Sequence, residues 1–239
     1  MTNEHIQQVL DMSTCLNAME EAYLELNEGR AGYRPRIDFY VPEEPHYYRW
    51  GTMEGASRKL GVFAIRMKSL MLAWEEQDGF KVEDKYCMQR GTYCGLIFLL
   101  STRNAEPLAL MNDGFLQHMR VGACAGLGTK YLSRKNSKVL AMIGSGGMAR
   151  TYAMAIKEVR PIETMRVFSP TKKNREAYAA EMTEKLDIEV VAVDSPEKAL
   201  KGADIVSLTT VSLVPVIKAE WLEPRMHINK LRNNETGED

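Results

Sequence analysis

The sequence predicts an α/β protein: a doubly wound parallel sheet preceded by an α+β region. Three observations carry that expectation. From Val139 onward, short apolar runs alternate regularly with amphipathic helical stretches, the order that builds βαβ units and a parallel sheet. A glycine-rich segment, Gly144-Ser-Gly-Gly-Met-Ala, falls between the first of these runs and its helix. Before Ser133 the alternation is absent, and a helix, several extended runs and a second helix follow in blocks. The expected organisation is an N-terminal α+β domain over residues 1–132 and a parallel-sheet domain over 133–229. Residues 230–239 read as a polar, disordered tail.

Between Ser13 and Glu28, Leu16, Met19, Tyr23 and Leu26 recur at helical steps and Gly29 supplies a stop. Arg34–Val41 reads as extended, fenced by Pro35, Pro42 and Pro45. Leu60–Leu72 and Thr92–Leu100 are apolar runs, the second with the look of a strand buried on both faces. Pro107–Met111 is a further short strand. The helix expected over Phe115–Leu132 holds Gly122, Ala123, Ala125, Gly126 and Gly128. Each helical glycine costs up to about 1 kcal/mol against alanine, so close packing on a sheet or on a ligand should compensate.

After the polar joint at Ser133–Ser137 come strand Val139–Ile143 and a helix over Met148–Val159. Strand Met165–Phe168, a helix over Lys173–Leu186 and strand Glu189–Val193 follow. Ser195 and Pro196 are a cap and first position for a short helix. Strand Ile205–Thr209 and the strand-like Met226–Asn229 complete the pattern.

Composition narrows the function classes. Lysine plus arginine (31) nearly balances aspartate plus glutamate (32), which gives no charge-driven attraction to nucleic acid or an anionic membrane. Cys15, Cys87, Cys94 and Cys124 are scattered with no CxxC pair, so the reading is free thiols, no metal site and a reducing compartment. The polar start Met1-Thr-Asn-Glu-His is no signal peptide, and no apolar run approaches a bilayer span. A cytoplasmic protein is expected.

Gly144, Gly146 and Ala149 form GxGxxA between strand and helix. The first glycine permits a tight turn and the second lets backbone approach a pyrophosphate. A small third residue lets the helix pack on the strand. With a second strand at the right distance, this is a Rossmann-type dinucleotide site; a glycine-rich turn without ligand is the alternative. Gly144, Ser145, Gly146, Gly147, Met148 and Ala149 are the expected cofactor-loop residues. The second strand ends in Ser169, not in an acidic residue, with Thr171, Lys172, Lys173 and Arg175 close behind. Hydroxyls and cations suit a 2′-phosphate, so NADP(H) is expected ahead of NAD(H); a solvated basic helix start is the other reading. Thr209 is placed beside the cofactor at the end of its strand.

Pro35-Arg36, Lys68 in Phe-Ala-Ile-Arg-Met-Lys, Arg120 before Val-Gly-Ala, the Gly144 loop and Gly202-Ala-Asp-Ile-Val jointly resemble the ornithine cyclodeaminase/μ-crystallin family. The resemblance implies a substrate and dimerisation domain followed by a Rossmann domain, and a homodimer. It also implies hydride transfer at the α-carbon of a small amino or imino acid, in an oxidoreductase or cyclodeaminase. Arg36, Lys68 and Arg120 would then hold the substrate carboxylate or border the cofactor, with Lys68 the candidate catalytic residue.

A guanidinium matches a carboxylate with two parallel hydrogen bonds. A lysine in an apolar strand is costly to bury without an anion. Lys68 reads alternatively as an edge-strand lysine reaching solvent, and Arg120 as a pair for Asp113.

The chain departs from the family in three places. Cys94, with Thr92 nearby, stands where the family has a threonine near the cofactor. Arg225 stands where members tend to have glycine. The family's acid/base aspartate follows the strand resembling Met226–Asn229, and here a polar tail ending in Asp239 follows. The sequence therefore reads as C-terminally truncated, and a μ-crystallin-like NADP(H)- or small-ligand-binding protein without catalysis is the alternative function.

Overall fold

Helices α1 (Asn3–Val9) and α2 (Met12–Asn27) open the chain in the computed structural model, which describes residues 1–77, 80–89 and 92–237. Asp11 starts α2 by accepting from the Thr14 amide at 2.7 Å, and Gly29 follows it in the left-handed region, φ +68°. Six strands follow: β1 (Ala31–Glu43), β2 (His46–Ser57), β3 (Val62–Gln77), β4 (Phe80–Tyr86), β5 (Cys94–Ser101) and β6 (Pro107–Asn112). They form one sheet in the order β1-β2-β3-β5-β6, with β4 also on β3.

Two expectations for this sheet need correction. The prolines do not fence β1, which runs through both Pro35 and Pro42. β1 is an edge strand, and its register shifts between Arg34 and Ile37, so a bulge absorbs the missing donor. β5 is not buried on both faces: Ile97 is its single buried residue. It pairs antiparallel with β3 and β6, and antiparallel sheets do not require cover on both sides.

Helix α3 (Gly114–Leu132) contains the division between two compact units, which falls at Arg120/Val121 and not at residue 132 as expected. The first unit is Met1–Glu75 with Glu83–Arg120, the second Glu76–Val82 with Val121–Asp239. In the second, β7 (Val139–Ile143), α4 (Gly147–Val159), β8 (Thr164–Phe168), α5 (Lys172–Leu186) and β9 (Glu189–Ala192) alternate as expected. α6 (Pro196–Leu200), β10 (Ile205–Leu208) and β11 (His227–Lys230) complete the unit. The strand order is β11-β10-β7-β8-β9, every pair parallel. Ser195 accepts from the Lys198 amide at 3.2 Å, the cap that starts α6.

The small residues of α3 do pack closely, on the parallel sheet as expected and also on a helix. Ala125 joins Leu140 and Met142 of β7 in one core cluster, and Gly128 faces Asn229 of β11. A Cβ on Gly122 would lie 2.5 Å from the Thr151 carbonyl oxygen in α4. Buried Arg160 then closes the C-terminal end of α3: its guanidinium donates to the carbonyls of Thr129, Lys130 and Ser133. They stand at the end of a helix, where carbonyls lack intrahelical donors.

The expected disordered tail is folded as far as it is described. Asn233–Glu235 is a 3-10 turn and Glu235 is fully buried; a run of polar residues hid one carboxylate with internal donors. Asp239 lies outside the described residues.

Gly122→Ala should lower the denaturation midpoint. Alanine gains about 1 kcal/mol of helix propensity, but the methyl meets α4 backbone, and overpacking of that kind costs about 1–3 kcal/mol. Urea titration of the two chains measures the balance; a midpoint at or above that of the parent chain would contradict the packing described.

Candidate functional site

The second unit's sheet changes winding direction between β7 and β10, which are neighbours in space but not in sequence. Chains leaving adjacent parallel strands toward opposite faces open a crevice at the strands' carboxyl ends, where ligands of such sheets bind. A cavity of about 240 Å³ lies there, lined by residues that end β7, β8 and β10.

Gly144 turns the chain out of β7 at φ +114°, a conformation side chains rarely adopt. A Cβ there would lie 2.7 Å from Thr209 Oγ1 and 2.8 Å from its carbonyl oxygen, so contact with β10 independently requires glycine. Gly146 is the N-cap of α4 with no side-chain capping bond, and a Cβ on it would meet nothing within 4 Å. The first-turn amides of α4 therefore stand beside open space, the arrangement that suits an anion. Ser145 Oγ donates to Ser169 Oγ at 2.9 Å, tying the loops after β7 and β8 together. Ala149 is fully buried, and Tyr178 of α5 donates to its carbonyl at 3.0 Å.

Gly144, Ser145, Gly146, Ser169, Thr171 and Thr209 all line this cavity, as do Asn174 and Thr210–Ser212, which sequence reasoning missed. Gly147, Met148 and Ala149 form the first turn of α4 and are not among the lining residues. Lys172 and Arg175 are not among them either. Lys172 reaches toward Glu176 at 3.7 Å, and Arg175 donates to the carbonyls of Ser169 and Pro170, both at 3.0 Å. Among the described residues no charged side chain lines the cavity.

The wall formed by Thr210–Ser212 is held from below. Glu235 Oε1 accepts from the Thr210 amide (2.6 Å) and hydroxyl (2.8 Å), and Oε2 from the Leu231 and Arg232 amides, both 2.9 Å. Thr210 Oγ1 in turn accepts from the Ser212 amide at 3.2 Å.

In the first unit a single row crosses the sheet. Asp38 pairs with Gly51, Gly51 with Lys68, and Lys68 with Gly95; the Asp113 amide donates to Gly95. Directly paired residues share a face. Both glycines make room for carboxylates: a Cβ on Gly51 would strike Asp38, and one on Gly95 would strike Asp113. The glycines within β2 and β5 were the available signal, because an interior strand glycine often marks a close approach.

Lys68 is therefore not on an edge strand, since β3 lies between β2 and β5. Nor does Arg120 pair with Asp113. Arg66 takes both oxygens of that carboxylate, at 2.8 and 2.7 Å. Among the described residues no hydrogen bond or ion pair engages the side chains of Lys68 or Arg120. Arg36 is exposed and touches the Met53 sulfur. Burial, with Arg66 and Arg36 nearby, pushes the Lys68 ammonium down to about 8. Arg120 and Arg36 also bear on Arg66. Lys68, Arg36 and Arg120 thus lie within electrostatic reach of Arg66, the cation that already occupies Asp113.

The model of the ornithine cyclodeaminase/mu-crystallin family matches residues 1–239 of this chain. The chain belongs to that family. Among its relatives is a Delta(1)-pyrroline-2-carboxylate reductase of Bacillus cereus, 36% identical over 138 residues, or 58% of this chain and 42% of that protein. A Thermococcus litoralis Delta(1)-pyrroline-2-carboxylate reductase, solved with NADH and L-proline, superposes with a TM-score of 0.82 at 29% identity. That match covers 96% of this chain and 67% of the other. An archaeal alanine dehydrogenase dimer with bound NAD gives 0.78 at 27%, over 95% and 65%. The chain thus spans less than half the length of the curated reductase it matches.

Membership gives the departures noted in the sequence a structural setting. Arg225 sits at φ +75°, the left-handed region that glycine favours. Cys94 begins β5 and is exposed; with Thr92 it lines a second cavity, within the first unit. The Thr92 hydroxyl donates to the Gln89 carbonyl at 2.6 Å.

Removing the Glu235 carboxylate would take the acceptor from four part-buried donors, of which the Leu231 amide keeps the Leu208 carbonyl at 3.1 Å. Each unsatisfied buried donor costs about 1–3 kcal/mol, so Glu235→Ala should lower the melting temperature by several degrees. Glu235→Gln, which keeps one acceptor oxygen, should fall between. Differential scanning calorimetry of the three chains tests this; equal melting temperatures would contradict the buried network.

Proposed function

We propose that the chain binds a nicotinamide dinucleotide, NADP(H) in preference to NAD(H), in the cavity at the β7–β10 winding change. We further propose that the chain is an oxidoreductase of a small α-amino or α-imino acid. The observation that carries this is the cavity itself: Gly144 turns the chain out of β7 and Gly146 leaves room for a pyrophosphate beside the free amides of α4. Relatives solved with NADH or NAD support the same reading.

When bound, the dinucleotide would supply a hydride donor or acceptor at the nicotinamide ring. Gly146, Gly147 and the first turn of α4 would hold its phosphates, and Ser169 and Thr171 would meet the adenosine ribose. Among the described residues no carboxylate lines that end to repel a 2′-phosphate, and Arg175 lies behind Ser169; both favour NADP(H).

The substrate's carboxylate would be held by Lys68 with Arg120 and Arg36. A planar guanidinium, and an ammonium that makes no hydrogen bond or ion pair among the described residues, are what such a group requires. The choice among reduction, oxidation and deaminating cyclisation belongs to the substrate's own nitrogen and side chain.

A homodimer is also proposed, resting on the archaeal dimer and on exposed apolar residues of the six-stranded sheet. Tyr33, Ile37, Phe39 and Leu110 are each more than half exposed, more apolar surface than a lone sheet usually leaves in water.

Oxidation of NADPH or NADH with a cyclic imino acid, or with pyruvate and ammonia, tests the reading. Dinucleotide-dependent thermal stabilisation without turnover would leave binding alone. The pH profile has a determined sign. Lys68 carries its charge below about 8 and loses it above, so kcat/KM for the imino acid should fall as pH rises through that value. Lys68→Arg should move this limb to higher pH. Lys68→Met should raise KM about 10- to 100-fold at neutral pH, the range for a charge-assisted hydrogen bond. An unaltered profile in both variants would remove Lys68 from the substrate site.

A further inference from the structure

Arg150 is the fourth residue of α4, and its side chain runs back toward the helix start, as helical side chains do. One nitrogen, Nη1, donates to the carbonyls of Ser145 and Gly146 at 2.9 and 3.1 Å. The other two, Nε and Nη2, clamp the Glu181 carboxylate of α5, at 2.8 and 2.6 Å. The guanidinium carbon also lies 5.3 Å from the centre of the Tyr178 ring. A simple bridge between α4 and α5 would use Glu181 alone. Here part of the guanidinium is committed to the backbone of the glycine loop.

That commitment has a geometric consequence. In a planar trans peptide the carbonyl and the N–H point in opposite directions. Holding the Ser145 and Gly146 carbonyls toward Arg150 turns the Gly146 and Gly147 amides away from it. Among the described residues neither amide donates to a protein acceptor. Glycine alone would not keep them so, because it is the residue least restricted in φ and ψ. A cation in a first helical turn also meets the positive end of the helix dipole, and Glu181 offsets that cost.

We propose that Arg150, held by Glu181, is a positioning residue for the dinucleotide. It sets the two loop amides for the pyrophosphate by fixing the carbonyls behind them, without touching the phosphates. This rests on the dinucleotide reading of the cavity and adds the residue pair that prepares it.

Equilibrium binding of NADPH, NADH, ADP-ribose and adenosine to the full chain separates the cases, with melting temperature recorded for each variant. Arg150→Gln and Glu181→Gln should each weaken both dinucleotides and ADP-ribose about tenfold while leaving adenosine, which has no pyrophosphate, unchanged. Equal loss for ADP-ribose and adenosine would make Arg150 a merely structural tie and overturn the proposal. So would unchanged ADP-ribose affinity in a folded Arg150→Gln chain. Tighter ADP-ribose binding in Glu181→Gln would show the freed guanidinium reaching the phosphates directly, again overturning it. Should Arg150→Gln fail to fold, Glu181→Gln alone decides. If the unaltered chain binds adenosine but neither dinucleotide nor ADP-ribose, the dinucleotide reading falls and takes this proposal with it.

Discussion

The contact between Gly144 and Thr209 governs the second unit. β7 and β10 are adjacent parallel strands, and the chain leaving β7 passes so near the end of β10 that a Cβ at 144 would overlap Thr209. The same residue must take a positive φ to redirect the chain into α4. Two independent constraints therefore fall on one position, and only glycine meets both. Because the turn is made there, the free amides of α4 open beside the ends of β8 and β10, and the cavity that forms among them has no charged side chain in its lining among the described residues.

The two ends of that cavity are secured by different means. Arg150 and Glu181 hold the glycine loop through its carbonyls. Glu235 holds the opposite wall through the Thr210 amide and hydroxyl. In both, a charged group satisfies backbone polar atoms behind the cavity, so charge supports its shape without lining it. Buried polar networks of this sort are rigid when every member is paired. The first unit uses charge the other way. Arg66 is matched by Asp113, while Lys68 makes no hydrogen bond or ion pair among the described residues and its ammonium is held low by burial.

The alternation of strands and helices after Val139 was legible because each strand is a short apolar run and each helix is amphipathic. Strand ends came out within a residue or two. β2 was not legible: His46–Ser57 holds Trp50, Gly51 and Glu54 without a period-two pattern, and its strand character depends on pairing with β1 and β3. Arg150 was illegible as a site residue because one arginine at a helix start is ordinary. Its role exists only once Glu181, 31 residues later, lies beside it. Glu235 was hidden for the same reason, since nothing in Asn-Asn-Glu-Thr marks its carboxylate as buried.

By itself the sequence determined the parallel α/β unit, the place of its glycine turn and the family to which the chain belongs. Those features depend on local periodicity and on residues whose backbone freedom is intrinsic. The tertiary structure alone decided which charges are matched. Asp113 could have paired with Arg120 or Arg66, and the strand register gives it to Arg66. Pairing of charges depends on distances set by strand order and helix packing, and no spacing along the chain encodes those distances.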